Sequence, residues 1–505
     1  MREPYFNLID EPWIPIADVG RVSLRQIFSE SSFHALGGNP VQKIALTKLL
    51  LAIAQAACTP EDEDAWRTLG TDGLAKHCLA YLEKWHTHFY LYGEKPFLQM
   101  PQIAQAATQS IGAVLPEIAT GNTTVLNAIQ TQSPLSDADK AILIVQLMGF
   151  GLGGKKTDNA IVLSADYLGK TNDKGKPSTG KAGTSIGFMG FLHHFLIGET
   201  LQDTLWLNLF TKEQIAFMPY TAGLGVAPWE IMPEGEQCEQ AKQLQNSLMG
   251  RLIPLSRFCL LNEDGLHYSE GITHLSYKDG MIDPSVAVNF SGKDAKVLWV
   301  DTERRPWRFL TAMLSFMSAG SSGFDCFHLT LGLPRARRTH LIHMGLWSGG
   351  LRVSSNAGEQ YCSGSDDFVE SVIFLNNADL GEYWYHELKQ EMTDLDQLAK
   401  QVYGATMGYF KSQKSEGKNE AAQASQLFWQ LAERQFQSLI NACGVGKAQT
   451  DVLRHTFAHY ASLSYSTYCP NDTARQLDAW AANLPKFNTY LKNIHVNNTQ
   501  PEANV

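Results

Sequence analysis

The sequence predicts an α+β protein, with a mixed α/β N-terminal domain over residues 1–378 and a C-terminal antiparallel four-helix bundle over residues 379–505. Before residue 375, strand-like apolar runs such as KVLWVD and SVIFLNN alternate with turns. After about residue 380, apolar residues recur every three to four positions, which is typical of amphipathic helices. Short breaks containing Gly, Asn or Pro separate four such segments, and short connections favour antiparallel packing.

Within the N-terminal domain, residues 1–35 are predicted to form short strands and turns. The apolar segment 44–58 is shorter than the roughly 18 residues of a membrane span, so it is predicted to be a buried helix. Residues 102–135 are polar and rich in small side chains, which indicates a surface loop. Ser136 is a good N-cap and acidic residues follow it, so SDADKAILIVQLM favours a helix over a strand.

The composition is that of a globular protein and excludes several classes. With 44% hydrophobic and 18% charged residues the chain is not disordered, and a net charge of -10 argues against coating nucleic acid by bulk charge. The eight cysteines are scattered, which indicates free thiols rather than a zinc knuckle. The N-terminus lacks the apolar run of a signal peptide and no segment is long enough to span a membrane, so a cytoplasmic protein is expected.

The stretch GFGLGGKKT, residues 149–157, resembles a nucleotide-binding P-loop. It has the lysine of that motif at Lys155, but Lys156 replaces the magnesium-binding Ser or Thr. VLWVDTE resembles the strand that holds magnesium in such enzymes, with Asp301 and the nearby Glu303 as its carboxylates. An ATP-dependent nucleic-acid-processing enzyme that uses Lys155 and Asp301 is therefore the alternative hypothesis, although a helix before the glycines argues against it.

Metal and hydrolase motifs are weak. His455 and His459 share a helix face, but the Glu of a zinc-protease HExxH motif is missing, so a structural role is favoured. No GxSxG elbow is present. We therefore expect no metal, cofactor or catalytic residue.

Glycine and basic residues cluster in a pattern that suits nucleic acid. Glycines allow the backbone to approach a phosphate or base edge, and neighbouring lysines supply charge. The clusters are residues 149–156, 169–185, 304–308 and 334–338. Any one of them is more often a solvated surface than a binding site. Four in an acidic chain favour a localised binding groove.

Two motifs identify a family resemblance. FNLIDEPWIPI, residues 6–16, and PFLQMP, residues 96–101, resemble signature elements of the CasA family, the large subunit of the type I-E CRISPR surveillance complex Cascade. The order that follows also resembles that family: an Asn-containing loop, a helix, a glycine loop, a mixed sheet region and a helical bundle. The resemblance covers essentially the whole chain.

The resemblance implies a non-catalytic subunit that recognises the PAM in double-stranded DNA, promotes duplex opening and R-loop formation, and docks a helicase-nuclease. The implied partners are the other Cascade protein subunits, the CRISPR RNA and the target DNA. Sequence is otherwise read by base pairing with the guide, as in other RNA-guided effectors. The P-loop likeness then reflects close approach to DNA, with no hydrolysis. A protein-only scaffold is a third hypothesis.

The resemblance also implies site residues. The family's loop that contacts the PAM or the backbone carrying the CRISPR RNA matches NTTVLN, which gives Asn122, Val125, Leu126 and Asn127. Val125 stands where the family has an aromatic residue.

The family's glycine loop matches GFGLGG and the lysines after it, which gives the DNA-binding residues Gly151, Gly153, Gly154, Lys155 and Lys156. The tract around 180–183 is a rival assignment for part of this loop.

A lysine that enters the DNA minor groove falls in SYKDG, at Lys278. Some family members carry a cysteine-rich zinc-binding insertion just before this position. This chain has only Cys259 there, so no zinc is expected.

Overall fold

The computed structural model describes residues 3–115, 135–152, 190–263, 265–318, 323–339, 341–356, 359–362 and 367–491. Contacts between Cα atoms divide the chain into two units: Met1–Trp307 with Ser322–Val372, and Arg308–Ser321 with Ile373–Val505. The segment 308–321 belongs to the second unit although it lies far from it in sequence. We call these the N-terminal unit and the C-terminal unit.

The strands are short and pair in small sheets, ordered β1-β4, β2-β3, β5-β8-β7, β9-β10, β12-β13 and β14-β11-β6. Their bounds are β1 Tyr5–Asn7, β2 Ile14–Ile16, β3 Gly20–Val22, β4 Tyr90–Tyr92, β5 Thr108–Gln109, β6 His193–Ile197, β7 Arg257–Leu261, β8 Leu266–Glu270, β9 Val288–Asn289, β10 Lys296–Val297, β11 His343–Leu351, β12 Ser354–Asn356, β13 Glu359–Tyr361 and β14 Phe368–Asn376.

The helices range from single turns to one of 31 residues. Their bounds are α1 Leu24–Ser29, α2 Pro40–Cys58, α3 Glu63–Lys84, α4 Ile111–Val114, α5 Asp137–Phe150, α6 Leu201–Leu207, α7 Lys212–Phe217, α8 Glu239–Gln245, α9 Met249–Leu252, α10 Leu310–Met313, α11 Phe327–Ala336, α12 Glu382–Ser412, α13 Lys418–Glu433, α14 Phe436–Val445, α15 Lys447–Tyr468, α16 Ala474–Ala482 and α17 Asn488–Leu491. This mixture of helix and sheet confirms the α+β prediction.

Helix α2 is the core helix of the N-terminal unit. It begins at a capping box, in which the Asn39 side chain accepts the Gln42 N–H and the Gln42 side chain accepts the Asn39 N–H. It is the one helix among the described residues long and apolar enough to cross a membrane, and 67% of its most apolar window is buried inside the protein. The helix predicted over 44–58 is buried, as expected, but it begins at Pro40 and has 19 residues, so the expectation that no segment is long enough to span a membrane was wrong.

The two signature motifs have structural roles. In the first, the Asn7 side chain accepts the Ile9 N–H at 2.9 Å, and the buried Trp13 indole donates to the Leu8 carbonyl at 2.9 Å. In the second, the buried Gln99 amide donates to the Leu91 carbonyl at 2.7 Å and accepts the Leu261 N–H at 2.8 Å. These side chains satisfy backbone groups that would otherwise be buried without partners.

A polar cluster lies inside the N-terminal unit. Lys48 of α2 forms a buried ion pair with Asp283 and donates to the Arg251 carbonyl at 3.2 Å. Asp283 accepts from the Ser285 hydroxyl at 2.7 Å, which lies 2.8 Å from His193 Nδ1. Burial alone would raise the pKa of Asp283, but Lys48 and the hydrogen bonds from Ser285 hold that pKa below its ordinary value. The cluster joins α2 to the chain around β6.

The C-terminal unit contains the predicted helical region, with further divisions. The second predicted segment is divided into α13 and α14 at Gln435, where the backbone leaves the helical region with φ of -108° and ψ of 4°. Neither Gly nor Pro marks this break. The fourth predicted segment is divided into α16 and α17 around Pro485, which lacks the N–H of a helix interior.

Replacement of His328 by Phe is expected to reduce the acid sensitivity of the N-terminal unit. His328 is buried between Phe195 and Phe210, and burial lowers its pKa to about 3. Above the unfolded pKa of about 6.5, His328 is neutral in both states and the folded protein keeps its full stability. As the pH falls from there towards 3, the unfolded state binds a proton that the folded state does not, so the unfolding free energy decreases by about 1.4 kcal/mol per pH unit. Urea unfolding between pH 8 and pH 4 should show equal slopes above about pH 6.5 and, below it, a slope shallower by up to that amount in His328→Phe. The exposed His343→Phe control should keep the wild-type slope.

Replacement of Lys48 by Met is expected to cost about 3–5 kcal/mol of unfolding free energy, because it leaves the Asp283 carboxylate buried without its cation. Lys43 on the same helix is a matched control. Its pair with Glu370, at 2.6 Å, is partly exposed, so Lys43→Met should cost less than about 1 kcal/mol. Equal losses in the two variants, measured by urea unfolding at pH 7.5, would contradict this assignment.

Candidate nucleic-acid interface

Two of the residues predicted to contact nucleic acid, Gly151 and Lys278, lie within the described part of the chain. The others lie outside it: Asn122, Val125, Leu126, Asn127, Gly153, Gly154, Lys155 and Lys156. The structure does describe the residues that bracket these segments. We therefore build the site from α5, from the chain on either side of 153–189, and from the turn that carries Lys278.

Helix α5 begins where the sequence predicts. The Ser136 hydroxyl accepts the Asp139 N–H at 3.2 Å, and Arg21 donates to that hydroxyl at 3.1 Å. Asp137 and Asp139 lie in the first turn, where the helix dipole favours negative charge. The predicted helix is confirmed and extends to Phe150, so Gly149 of the P-loop-like stretch lies inside it. A P-loop needs a strand at this position.

Arg257, the first residue of β7, holds the end of α5. Its guanidinium donates to the carbonyls of Gly151 and Leu152, both at 3.2 Å. It also donates to the Ser256 carbonyl at 2.7 Å and to the Tyr268 hydroxyl at 3.2 Å. A cation at a helix C-terminus is favoured by the helix dipole, and here it also satisfies two carbonyls that directly follow the last helical residue. This buried side chain therefore fixes where the chain leaves the helix.

Gly151 is buried, and its environment requires glycine. A Cβ at this position would lie 2.6 Å from Arg257 Cγ and 2.7 Å from the Tyr268 hydroxyl. These distances are shorter than real Cβ contacts, so any side chain would displace the arginine. Packing against Arg257 is thus a sufficient reason for the glycine. Its predicted contact with DNA stays a prediction.

The described residues that precede and follow 153–189 lie close to each other. The rings of Phe150 and His193 have centroids 5.7 Å apart. At the re-entry, Gly190 has a φ of 102°, and its Cβ position would lie 3.3 Å from the Trp299 ring. Backbone hydrogen bonds from Leu192 to Leu298 and from Val300 to Gly190 fix this point.

Lys278 lies on a tight turn of 3-10 helix, Tyr277–Asp279. The Ser276 hydroxyl accepts the Lys278 N–H at 3.2 Å, and the Asp279 carboxylate accepts the Ser276 N–H at 2.9 Å. The hydrogen bonds that the Ser276 N–H and hydroxyl donate to Asp279 lower the pKa of its carboxyl group. Gly280 closes the turn with a φ of 82°, a conformation that favours glycine. Lys278 itself is exposed, and the hydrogen bonds of the turn hold its backbone in place.

Aromatic rings connect the Lys278 turn to the re-entry point. The Phe191 ring lies 5.8 Å from Tyr277 and 4.8 Å from Trp299, centroid to centroid. Phe191 is buried, whereas Trp299 keeps 45% of its surface exposed. The structure therefore brings the Lys278 turn, Trp299 and Gly190 close to one another in the N-terminal unit.

Asp301 has a local structural role. Its carboxylate accepts the N–H groups of Glu303 at 2.9 Å and Arg304 at 3.2 Å, which is the geometry of a capped turn. The carboxylate is exposed. Together with the helix before the glycines, this arrangement favours a turn over a magnesium-binding strand end.

Two arginines of the basic clusters, and Arg454 outside them, have structural roles. Arg335 is buried, lies 4.4 Å from the Trp66 ring and donates to Glu63 at 2.5 Å. In the C-terminal unit, Arg308 lies 3.8 Å from the Trp429 ring centroid. The buried Arg454 donates to Glu391 at 2.7 Å. Such cations stabilise packing and present little charge to a ligand.

Within the described residues, no group of three or more His, Cys, Asp or Glu side chains could hold a metal ion. Cys259, the cysteine at the position of the zinc-binding insertion, is buried, and burial raises its pKa to about 12. Cysteine binds metal as the thiolate, which this environment disfavours. His455 and His459 are exposed on α15.

Sequence reasoning missed Arg257 and Trp299. Arg257 lies in the apolar stretch PLSRFCLL with no recognisable motif, and its partners Gly151 and Leu152 are more than 100 residues away. Trp299 lies in VLWVDTE, a stretch whose sequence resembles a magnesium-binding strand and gives no indication of an exposed ring. A charged residue inside an apolar strand was the available signal for Arg257, because such a residue needs buried partners.

The sequence is similar to those of known proteins over much of its length. The sequence model of the family "CRISPR-associated protein Cse1" matches residues 7–462. The curated CasA/Cse1 protein of Thermus thermophilus is 28% identical over 346 residues, which are 61% of this chain and 60% of that protein's length.

Solved structures have the same fold at low identity. Thermobifida fusca Cse1 superposes with a TM-score of 0.77 at 19% identity, over 97% of this chain and 98% of that one. Thermus thermophilus CasA gives 0.72 at 20% identity, over 97% and 100%. A chain of a structure described as a CRISPR RNA-guided surveillance complex gives 0.66 at 16% identity, over 95% and 99%. The family match over residues 7–462 shows that the chain belongs to the CRISPR-associated Cse1, or CasA, family.

Proposed function

We propose that this protein is the large subunit of a type I-E CRISPR RNA-guided surveillance complex, Cascade, and that it recognises the PAM in double-stranded DNA. Two findings support the proposal that the chain is a subunit of such a complex: its family membership, and the fold that it shares with a chain of a CRISPR RNA-guided surveillance complex. The partners would be other Cascade subunits, CRISPR RNA and target DNA, in the cytoplasm.

The observation that carries PAM recognition is the rigid turn beneath Lys278. A lysine on a four-carbon stem can reach into the narrow minor groove, and its capped turn limits the entropy lost on binding. The minor groove distinguishes A·T from G·C pairs but little more, so such a reader tolerates several PAM sequences.

The remaining predicted residues complete this proposal. Asn122, Val125, Leu126 and Asn127 would contact the PAM or the backbone that carries the CRISPR RNA. Gly153, Gly154, Lys155 and Lys156 would lie against the duplex beside Gly151. An apolar residue beside the PAM would offset part of the cost of unstacking the first base pair, so that pairing with the guide can begin. The open R-loop would then recruit the helicase-nuclease.

We expect the isolated chain to bind duplex DNA weakly, because its net charge is -10. Affinity would come from the assembled ribonucleoprotein, and this subunit would add discrimination. The chain itself would carry out no catalysis.

Replacement of Lys278 by Ala should weaken binding of the assembled complex to target duplex by roughly tenfold, because one charge-assisted contact is worth about 1.5 kcal/mol. The measurement is a filter-binding titration with duplexes that differ only in the PAM. The affinity ratio between PAM and non-PAM duplexes should fall in the variant. The matched control is Lys95→Ala, an exposed lysine of the same unit. An unchanged ratio in Lys278→Ala, or an equal loss in the control, would refute the role of this lysine.

ATP should not be turned over by the purified chain, with or without DNA, because a helix replaces the strand of a P-loop and Asp301 caps a turn. Phosphate release with ATP and magnesium measures this directly. Turnover that disappears in Lys155→Ala would establish the ATP-dependent enzyme instead.

A further inference from the structure

Strands β9 and β10 form a hairpin on which two exposed aromatic residues flank two exposed lysines. Val288 pairs with Val297 and Asn289 with Lys296. Phe290 follows β9 and is 47% exposed, and Trp299 follows β10 and is 45% exposed. Lys293 and Lys296 are also exposed. We call Phe290, Lys293, Lys296 and Trp299 the hairpin surface.

The hairpin packs on the protein through its valines. Val286, Val288, Val297 and Phe191 form a small buried cluster beneath it. At the tip, the Asn289 side chain accepts the Ser291 N–H at 2.8 Å and the Ser291 hydroxyl at 2.6 Å, which fixes the turn. The buried contacts of the hairpin are thus made by its valines. Phe290 is not part of that buried cluster.

We propose that the hairpin surface binds unpaired nucleotides of a DNA strand. The proposal rests on the proposed function, because a subunit that opens a duplex exposes unpaired bases beside its reading residue. The Phe191 ring lies 4.8 Å from Trp299 and 5.8 Å from Tyr277 of the Lys278 turn, centroid to centroid. Trp299 is therefore the residue of the hairpin surface that is linked to that turn.

Aromatic residues interleaved with lysines suit a single strand better than a duplex. Unpaired bases offer open faces that stack on Trp and Phe, whereas paired bases are already stacked on their neighbours. Lys296 lies opposite Asn289, the residue before Phe290, so a cation stands near one of the rings and can pair with the phosphate of a stacked nucleotide. Asp294, exposed at the tip, is a carboxylate that opposes this attraction, as is the exposed Asp301 two residues after Trp299.

The test is fluorescence anisotropy of the purified full chain at low salt, with a labelled oligothymidylate and a duplex of equal length. Trp299→Ala and Phe290→Ala should each weaken oligothymidylate binding about tenfold and duplex binding less than about twofold. Lys293→Ala and Lys296→Ala should each reduce the salt slope by about 0.7. Asp294→Asn should tighten binding. Phe217→Ala, at a residue 92% exposed elsewhere in the unit, is the matched control and should change nothing.

No measurable oligothymidylate binding by the wild-type chain would overturn the proposal. So would unchanged binding in both aromatic variants, or equal losses for single strand and duplex. Circular dichroism checks that each variant folds, and Phe290→Ala, outside the buried cluster, keeps the test decisive if Trp299→Ala does not fold. PAM discrimination in Lys278→Ala is measured separately in the assembled complex, so failure of the proposed function and failure of this inference are distinguishable.

Discussion

The contact between the Arg257 guanidinium and the end of α5 is the constraint on which the geometry of the site depends. One buried side chain satisfies the carbonyls of Gly151 and Leu152 and is itself held by Tyr268. An arginine suits this place because its planar fork can donate to several oxygens in fixed directions, which lysine cannot do. The glycine and the arginine require each other, since any Cβ at Gly151 would occupy the arginine's position. The direction in which the chain leaves α5 is therefore fixed by a contact far apart in sequence.

The Lys278 turn is also fixed by a few specific contacts. Its turn is stabilised by hydrogen bonds among Ser276, Lys278 and Asp279, and it packs through Tyr277 onto Phe191. A chain with a net charge of -10 cannot rely on bulk attraction to DNA. A few cations on hydrogen-bonded turns would offer discrimination without strong non-specific affinity, which suits the proposed role in PAM recognition.

Local sequence signals predicted the local structure well. Ser136 with its acidic neighbours gave the start of α5, and the apolar run 44–58 gave the core helix α2. The exposed position of Lys278 is also compatible with its predicted role, which stays a prediction. The basic clusters predicted exposed cations, and this prediction fails where an arginine is buried by tertiary contacts. Arg335 is buried against Trp66, which no spacing rule could reveal because the two residues are brought together only by folding.

The residues that identified the family and the residues that would perform its function are different. Asn7, Trp13 and Gln99 of the signature motifs satisfy buried backbone groups, so they specify the fold and can be recognised in one sequence. Exposed residues such as Lys278 and Trp299 can vary with the ligand, and only the folded chain brings them together. Recognition of the family therefore fixes the scaffold, whereas specificity for a particular DNA must be argued from the side chains that this chain presents on it.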